Sequence, residues 1–221
     1  MHQIQITIDA VAASAVAPRN ADPGLIIKTA LTEALAGPVV RPWRLHQQNG
    51  RDLMILGYSD LDEAALRERH ALSEPQAQRA VRSIISSPMP AQIAAGTAVR
   101  YRIRLCPTIR VTPGQERRHG ERDAYLVAAD AAGPDADLSR LEVYGQYLRE
   151  RVTGAEILDL HLDGFRLERM YRRGVRTFPV ADCYGTARVT GWAALAETLL
   201  TGIGRQRAYG CGYLRLEAAK L

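Results

Sequence analysis

The chain has almost no lysine. Of its 29 basic residues only Lys28 and Lys220 are lysines, which leaves 27 arginines. It also lacks an apolar run of about twenty residues able to cross a membrane, and nothing in it resembles a secretory leader. Its three cysteines, Cys106, Cys183 and Cys211, lie far apart without ligand-like spacing. There is no low-complexity stretch and no strict short repeat. No Gly-Lys-Ser/Thr completes a Walker loop, and no dinucleotide fingerprint joins a strand to a helix. These absences predict a soluble, cytoplasmic, reduced protein with no membrane partner and no small-molecule cofactor, and they disfavour a nucleotide-binding enzyme.

What is present is arginine, unevenly placed. The formal charge of +5 is modest, and codon usage in a GC-rich genome enriches arginine as readily as function does. Position discriminates better than count. Between Arg100 and Arg122 lie seven arginines against Glu116 and Glu121, and between Arg166 and Arg176 lie five against Glu168. Charge gathered in two segments of one half predicts a surface for a polyanion. Arginine suits that task, because its planar fork matches phosphate and base edges.

A glycine-and-arginine loop, Gly202-Ile203-Gly204-Arg205-Gln206-Arg207-Ala208-Tyr209-Gly210-Cys211-Gly212, turns into an apolar strand at 213–216. Glycines allow close approach of backbone to a ligand and aim successive N–H groups at an anion, and Arg205 and Arg207 add charge. A helix over 193–200 is expected to pack behind it.

Hydrophobic periodicity divides the chain at about residue 96. Residues 3–8 alternate as a half-buried strand, and Asp22-Pro23 opens a helix running towards Gly37. Strands at 39–48 and 53–58 flank an Asn49-Gly50 turn. A helical zone reaches about residue 87, and 89–93 supplies a fourth strand. In the second half, strands are expected at 99–111, 124–129, 155–162 and 178–189, helices at 138–152 and 192–200, and an arginine-rich hairpin at 165–176. The fold class is α+β: two tandem ferredoxin-like β-α-β-β-α-β domains, 1–95 and 96–221.

The loop resembles the glycine-rich signature of the CRISPR-associated CasE (Cse-type) endoribonucleases. Tyr101-Arg102-Ile103-Arg104-Leu105-Cys106-Pro107-Thr108 resembles the strand that opens that family's second domain, with Cys106 where asparagine is usual. Arg117-Arg118-His119-Gly120 sits where the family carries a basic turn, and 148–168 with 180–195 follows its helix and strand pattern. The resemblance implies a metal-independent endoribonuclease that binds and cleaves the repeat hairpin of precursor CRISPR RNA, retains the product and joins an effector complex. It implies RNA contacts from Arg41, Arg102, Arg104, Arg110 and Arg122, from Arg117, Arg118 and His119, from Arg172 and Arg173, and from Gly202, Gly204, Arg205 and Arg207.

Cleavage without metal needs a cation for the phosphorane and an acid for the leaving oxygen. The family usually places a histidine on its first helix, and here the nearest position holds Lys28. That lysine either serves the chemistry or is an ordinary surface residue. His46 and Arg44 share one face of the second strand, with Arg41 close by, and the choice there is a catalytic group or a solvated face. Asp159, His161 and Asp163 alternate as any polar strand face does, so a metal reading is not favoured. A non-catalytic subunit capping the guide RNA hairpin is the alternative. A general two-module RNA binder is a third reading, weakened by the absence of aromatic ribonucleoprotein signatures.

Overall fold

The computed structural model describes residues 1–111, 120–134, 136–171 and 174–218. In β1 (His2–Asp9) Ile4, Ile6 and Ile8 alternate inward. Asp9 ends the strand and caps α1 (Ala10–Val16), accepting from the Val11 and Ala12 amides at 2.9 and 3.1 Å. This short helix is additional to those expected. α2 (Pro23–Ala34) starts as expected, with the Asp22 carboxylate 3.0 Å from the Leu25 amide. Its Ile27, Ala30, Leu31 and Ala34 recur at helical spacing and pack on the β1 isoleucines. Each such burial contributes up to about 1.5–3 kcal/mol for the larger side chains.

β2 (Trp43–Asn49) begins four residues later than the expected 39, since Pro38 and Pro42 have no N–H to give a ladder. β3 (Asp52–Ser59) follows across the expected turn. Next come α3 (Glu63–Ala71), the single turn α4 (Pro75–Gln78) and β4 (Val81–Pro88). The fourth strand was expected at 89–93 and the helical zone to about 87. A register shift against Thr7/Ile8 leaves Arg82 unpaired, which keeps Val81 and Ile84 both buried at a three-residue spacing. That spacing imitates a helix.

The second half opens with β5 (Ala98–Leu105), which stops before Cys106-Pro107 instead of running to 111. β6 (Thr108–Arg110) and β7 (Glu121–Asp123) form a separate ribbon. The expected strand at 124–129 is the helix α5 (Ala124–Ala132): Asp123 caps it, and its alanine-rich run favours helix over sheet. α6 (Arg140–Arg149) carries a reciprocal Ser139–Glu142 cap. β8 (Ala155–Ile157), β9 (His161–Tyr171) and β10 (Val175–Val189) follow, then α7 (Trp192–Thr201) and β11 (Leu214–Ala218).

The first sheet has the order β2-β3-β1-β4 and the second β11-β5-β10-β8, with β9 also on β10. Read from the fourth strand of each half, both follow the same ferredoxin-like order, and all their pairings are antiparallel. Alternation on β3 serves two cores. Leu53 and Ile55 face α2, whereas Leu56 and Tyr58 join the core of the second half. There Tyr58 and Tyr213 lie 4.7 Å apart between ring centres, the Tyr58 hydroxyl donates to Leu214 O at 2.9 Å, and Gln3 donates to the Tyr213 hydroxyl at 2.7 Å. Among the described residues no helix is long and apolar enough to cross a membrane.

Candidate functional site

The two halves enclose a cleft of about 1140 Å³ between α2 and the glycine-rich loop. Lys28 enters from α2 and Arg41 from the segment before β2. Arg110 comes from β6, Arg151 from just beyond α6, and Arg205 and Arg207 from the loop. Among the described residues lining it there are these six cations and no carboxylate. Lys28 is half-buried, its ammonium 5.5 Å from the centre of the Tyr209 ring. Arg41 and Arg110 are exposed and carry no ion pair with a described residue. Arg151 lies 3.6 Å over Tyr147, which burial holds in its neutral form. Such a concentration of positive charge with a low-dielectric wall selects an anion.

The loop is held from both sides. Ile203 N donates to Gly212 O at 2.9 Å and Gly212 N to Arg104 O at 2.7 Å, tying it to β5. Gly202, at φ +73°, lies so close to Pro42 that an added Cβ would be 2.8 Å from the ring, and at Gly204 a Cβ would be 2.8 Å from the Tyr147 hydroxyl. These glycines therefore fit the loop against the first half and against α6, beyond admitting a ligand. The Gly204, Arg205 and Gln206 amides have no acceptor among the described residues, which leaves successive donors at the cleft wall. Arg205 is held by Glu121 at 2.8 Å, and Arg207 donates to Thr201 O at the end of α7.

Other expected residues lie elsewhere. Arg44 and His46 do not line the cleft. Arg44 pairs with Asp182 at 3.2 Å, in a network where Arg166 also holds Asp182, at 2.6 Å, and Arg104 holds Glu168. His46 is exposed at the β2 register shift, and desolvation, with Arg215 and Arg44 nearby, lowers its pKa. Arg102 projects from the open face of the second sheet over Tyr184, and Arg122 pairs with Asp130 at 2.6 Å. Arg117, Arg118, His119, Arg172 and Arg173 lie outside the described residues. Arg151 and Tyr147 carry no local sequence signal, since their place depends on α6 packing beside the loop. Asp159 accepts from Thr186 N at 2.9 Å, and among the described residues no three potential metal ligands gather.

Fold and cleft together define a protein of two ferredoxin-like modules with a cation-lined groove between them. A family model described as "CRISPR associated protein" matches residues 5–217, and the chain belongs to that family. Its fold is similar to that of the CRISPR-associated protein Cas6e from Escherichia coli K-12, at 14% identity and TM-score 0.66, covering 99% of this chain and 100% of that one. It is likewise similar to Thermus thermophilus Cse3 bound to an RNA representing a pre-cleavage complex, at 17% identity and TM-score 0.62, covering 98% and 100%. A chain of a CRISPR RNA-guided surveillance complex matches at 18% identity and TM-score 0.56, covering 99% and 100%. At these identities the likeness is one of fold. No curated protein sequence matches this chain.

Proposed function

We propose that the protein binds the hairpin of a precursor CRISPR RNA repeat in this cleft, cuts it at the 3′ base of the stem without a metal ion, and stays on the product within an effector complex. The observation that carries the reading is the cleft lined by six cations and no carboxylate among its described residues. The fold supports it by analogy, since similar chains are bound to RNA and to a surveillance complex. Residues 1–95 and 96–221 act as the two walls. Hairpin RNA presents phosphates and 2′-hydroxyls more than base edges. Arg41 and Arg110 are free to meet those phosphates, and Arg205 reaches one by exchanging Glu121 for it.

In the cutting step the ribose 2′-oxygen attacks the adjacent phosphorus and gives its proton to water. The bond to the 5′-oxygen breaks, leaving a 2′,3′-cyclic phosphate and a 5′-hydroxyl. The Lys28 ammonium and the amides of Gly204 and Arg205 offset the charge that builds on the phosphorane. Lys28, entering from the helix, also supplies the proton taken by the departing oxygen.

The test is single-turnover cleavage of repeat hairpin RNA in excess chelator. Wild type is expected to yield the cyclic phosphate, and Lys28→Ala to cut about 10²–10⁴-fold more slowly with hairpin affinity nearly intact. Arg41→Ala with Arg110→Ala should weaken binding and flatten its logarithmic salt dependence by about two. Tight binding with no cutting by wild type would make the protein the hairpin-capping subunit, a reading favoured by the lysine at the family's histidine position. Absence of hairpin binding would overturn both.

A further inference from the structure

The open face of the second sheet carries a line of side chains that the cleft does not use. Strand register pairs Arg215 of β11 with Arg102 of β5, Arg102 with Tyr184 of β10, and Tyr184 with His161 of β9. One row therefore crosses four strands. Its neighbours along the strands, Tyr101, Ile103, Cys183 and Leu214, are buried on the other face, so alternation turns the row outward. The Arg102 guanidinium lies 5.7 Å from the Tyr184 ring centre, and Tyr184 stacks on His161 at 5.0 Å with 23° between planes. Tyr184 is 39% exposed and the His161 side chain 59%. Among the described residues β9 pairs with β10 alone, so no described strand follows the row beyond His161. Arg102 has no ion pair with a described residue, while Arg215 shares Glu217 at 3.4 Å.

We propose that this row is a second RNA site, a stacking platform for unpaired nucleotides that continue from the hairpin; it rests on the reading of the cleft as the hairpin site. The His161 ring, backed by Tyr184, offers its outer face for sequence-tolerant stacking to a base, and the two guanidiniums meet the phosphates beside it. None of the four side chains is aliphatic, which favours a flat anionic chain over an apolar protein partner. The route from the cleft is short. Arg41 lines the cleft, and Arg44, three residues on, pairs with Asp182 beside this face, at most about 11 Å of chain away. Cutting at the 3′ base leaves the 5′ flank attached, and that flank is the segment the platform takes. The row draws on residues from 102 to 215, so it forms no linear signature.

Binding is measured for three RNAs: the repeat hairpin, the hairpin with about eight unpaired nucleotides on its 5′ side, and that single strand alone. In wild type the extension is expected to tighten binding about tenfold. Tyr184→Ala should remove that gain while leaving hairpin-alone affinity unchanged, and Tyr184→Phe should restore it, because stacking needs the ring and not the hydroxyl. No gain in wild type, or an equal gain in Tyr184→Ala, overturns the platform. Single-strand binding that depends on Tyr184, with no hairpin binding, upholds the platform and removes the cleft reading instead. Loss of a copurifying protein in Tyr184→Ala, with the extension gain intact, assigns the face to a protein and overturns the RNA occupant.

Discussion

Lys28 and His46 show how much a residue's chemistry depends on which side of an element it falls. Alternation in the sequence already separates Trp43 and Leu45 from Arg44 and His46. Where each face ends up is decided only when the chain folds, which buries Trp43 to 3% exposure in the first core and turns Arg44 to Asp182 of the second half. His46 then sits partly desolvated, with Arg215 and Arg44 close by, and its pKa is below the ordinary histidine value. The unfolded chain binds that proton more readily, so the contribution of His46 to stability is intact above the ordinary value and is lost as pH falls through it. An NMR titration of the free protein should find the lowered value, Arg215→Ala should move it back towards normal, and RNA on the neighbouring face should raise it. A free-protein value at or above the ordinary one would remove the proximity of those cations from the account.

At the scale of elements, the sequence disclosed most where one pattern had one cause. Asp22-Pro23 announces α2, and the isoleucines of β1 announce a strand. It misled where two effects shared a pattern, as in β4, whose unpaired Arg82 spaces Val81 and Ile84 like a helix. The glycine-rich loop is a similar case. Its composition suggests a phosphate cradle, yet Gly202 is also fixed by geometry, at φ +73° and ψ +162°, a region that side chains avoid at a cost of about 1–3 kcal/mol. A Cβ there also collides with Pro42. Gly202→Ala is therefore expected to lower the melting temperature and to reduce hairpin affinity and cleavage together, since the loop must shift away from Lys28. Wild-type melting and binding in this variant would show that the loop does not depend on its fit against the first half.

For the whole molecule, the two halves share a core. Leu56 and Tyr58 of the first sheet pack inside the second core, and the Arg44–Asp182 pair links β2 to β10. The pattern of two repeats was visible in the sequence, but this fusion was not, because the period-2 signal of β3 does not say what covers its second face. The three cysteines also end up buried, Cys106 and Cys211 in one small cluster. The shared core should make unfolding one event. The two tryptophans report it separately, Trp43 from the first half and Trp192 from the second. Single-tryptophan proteins, made with Trp192→Phe or Trp43→Phe, are expected to melt along coincident curves, with calorimetric and van't Hoff enthalpies equal. Tyr58→Ala should lower stability by about 3–5 kcal/mol as seen by either probe, and Tyr58→Phe by about 1 kcal/mol through the lost bond to Leu214 O. If Trp43 instead melts well apart from Trp192, the halves are independent and the cleft between them is a hinge, whose geometry the bound RNA would have to set.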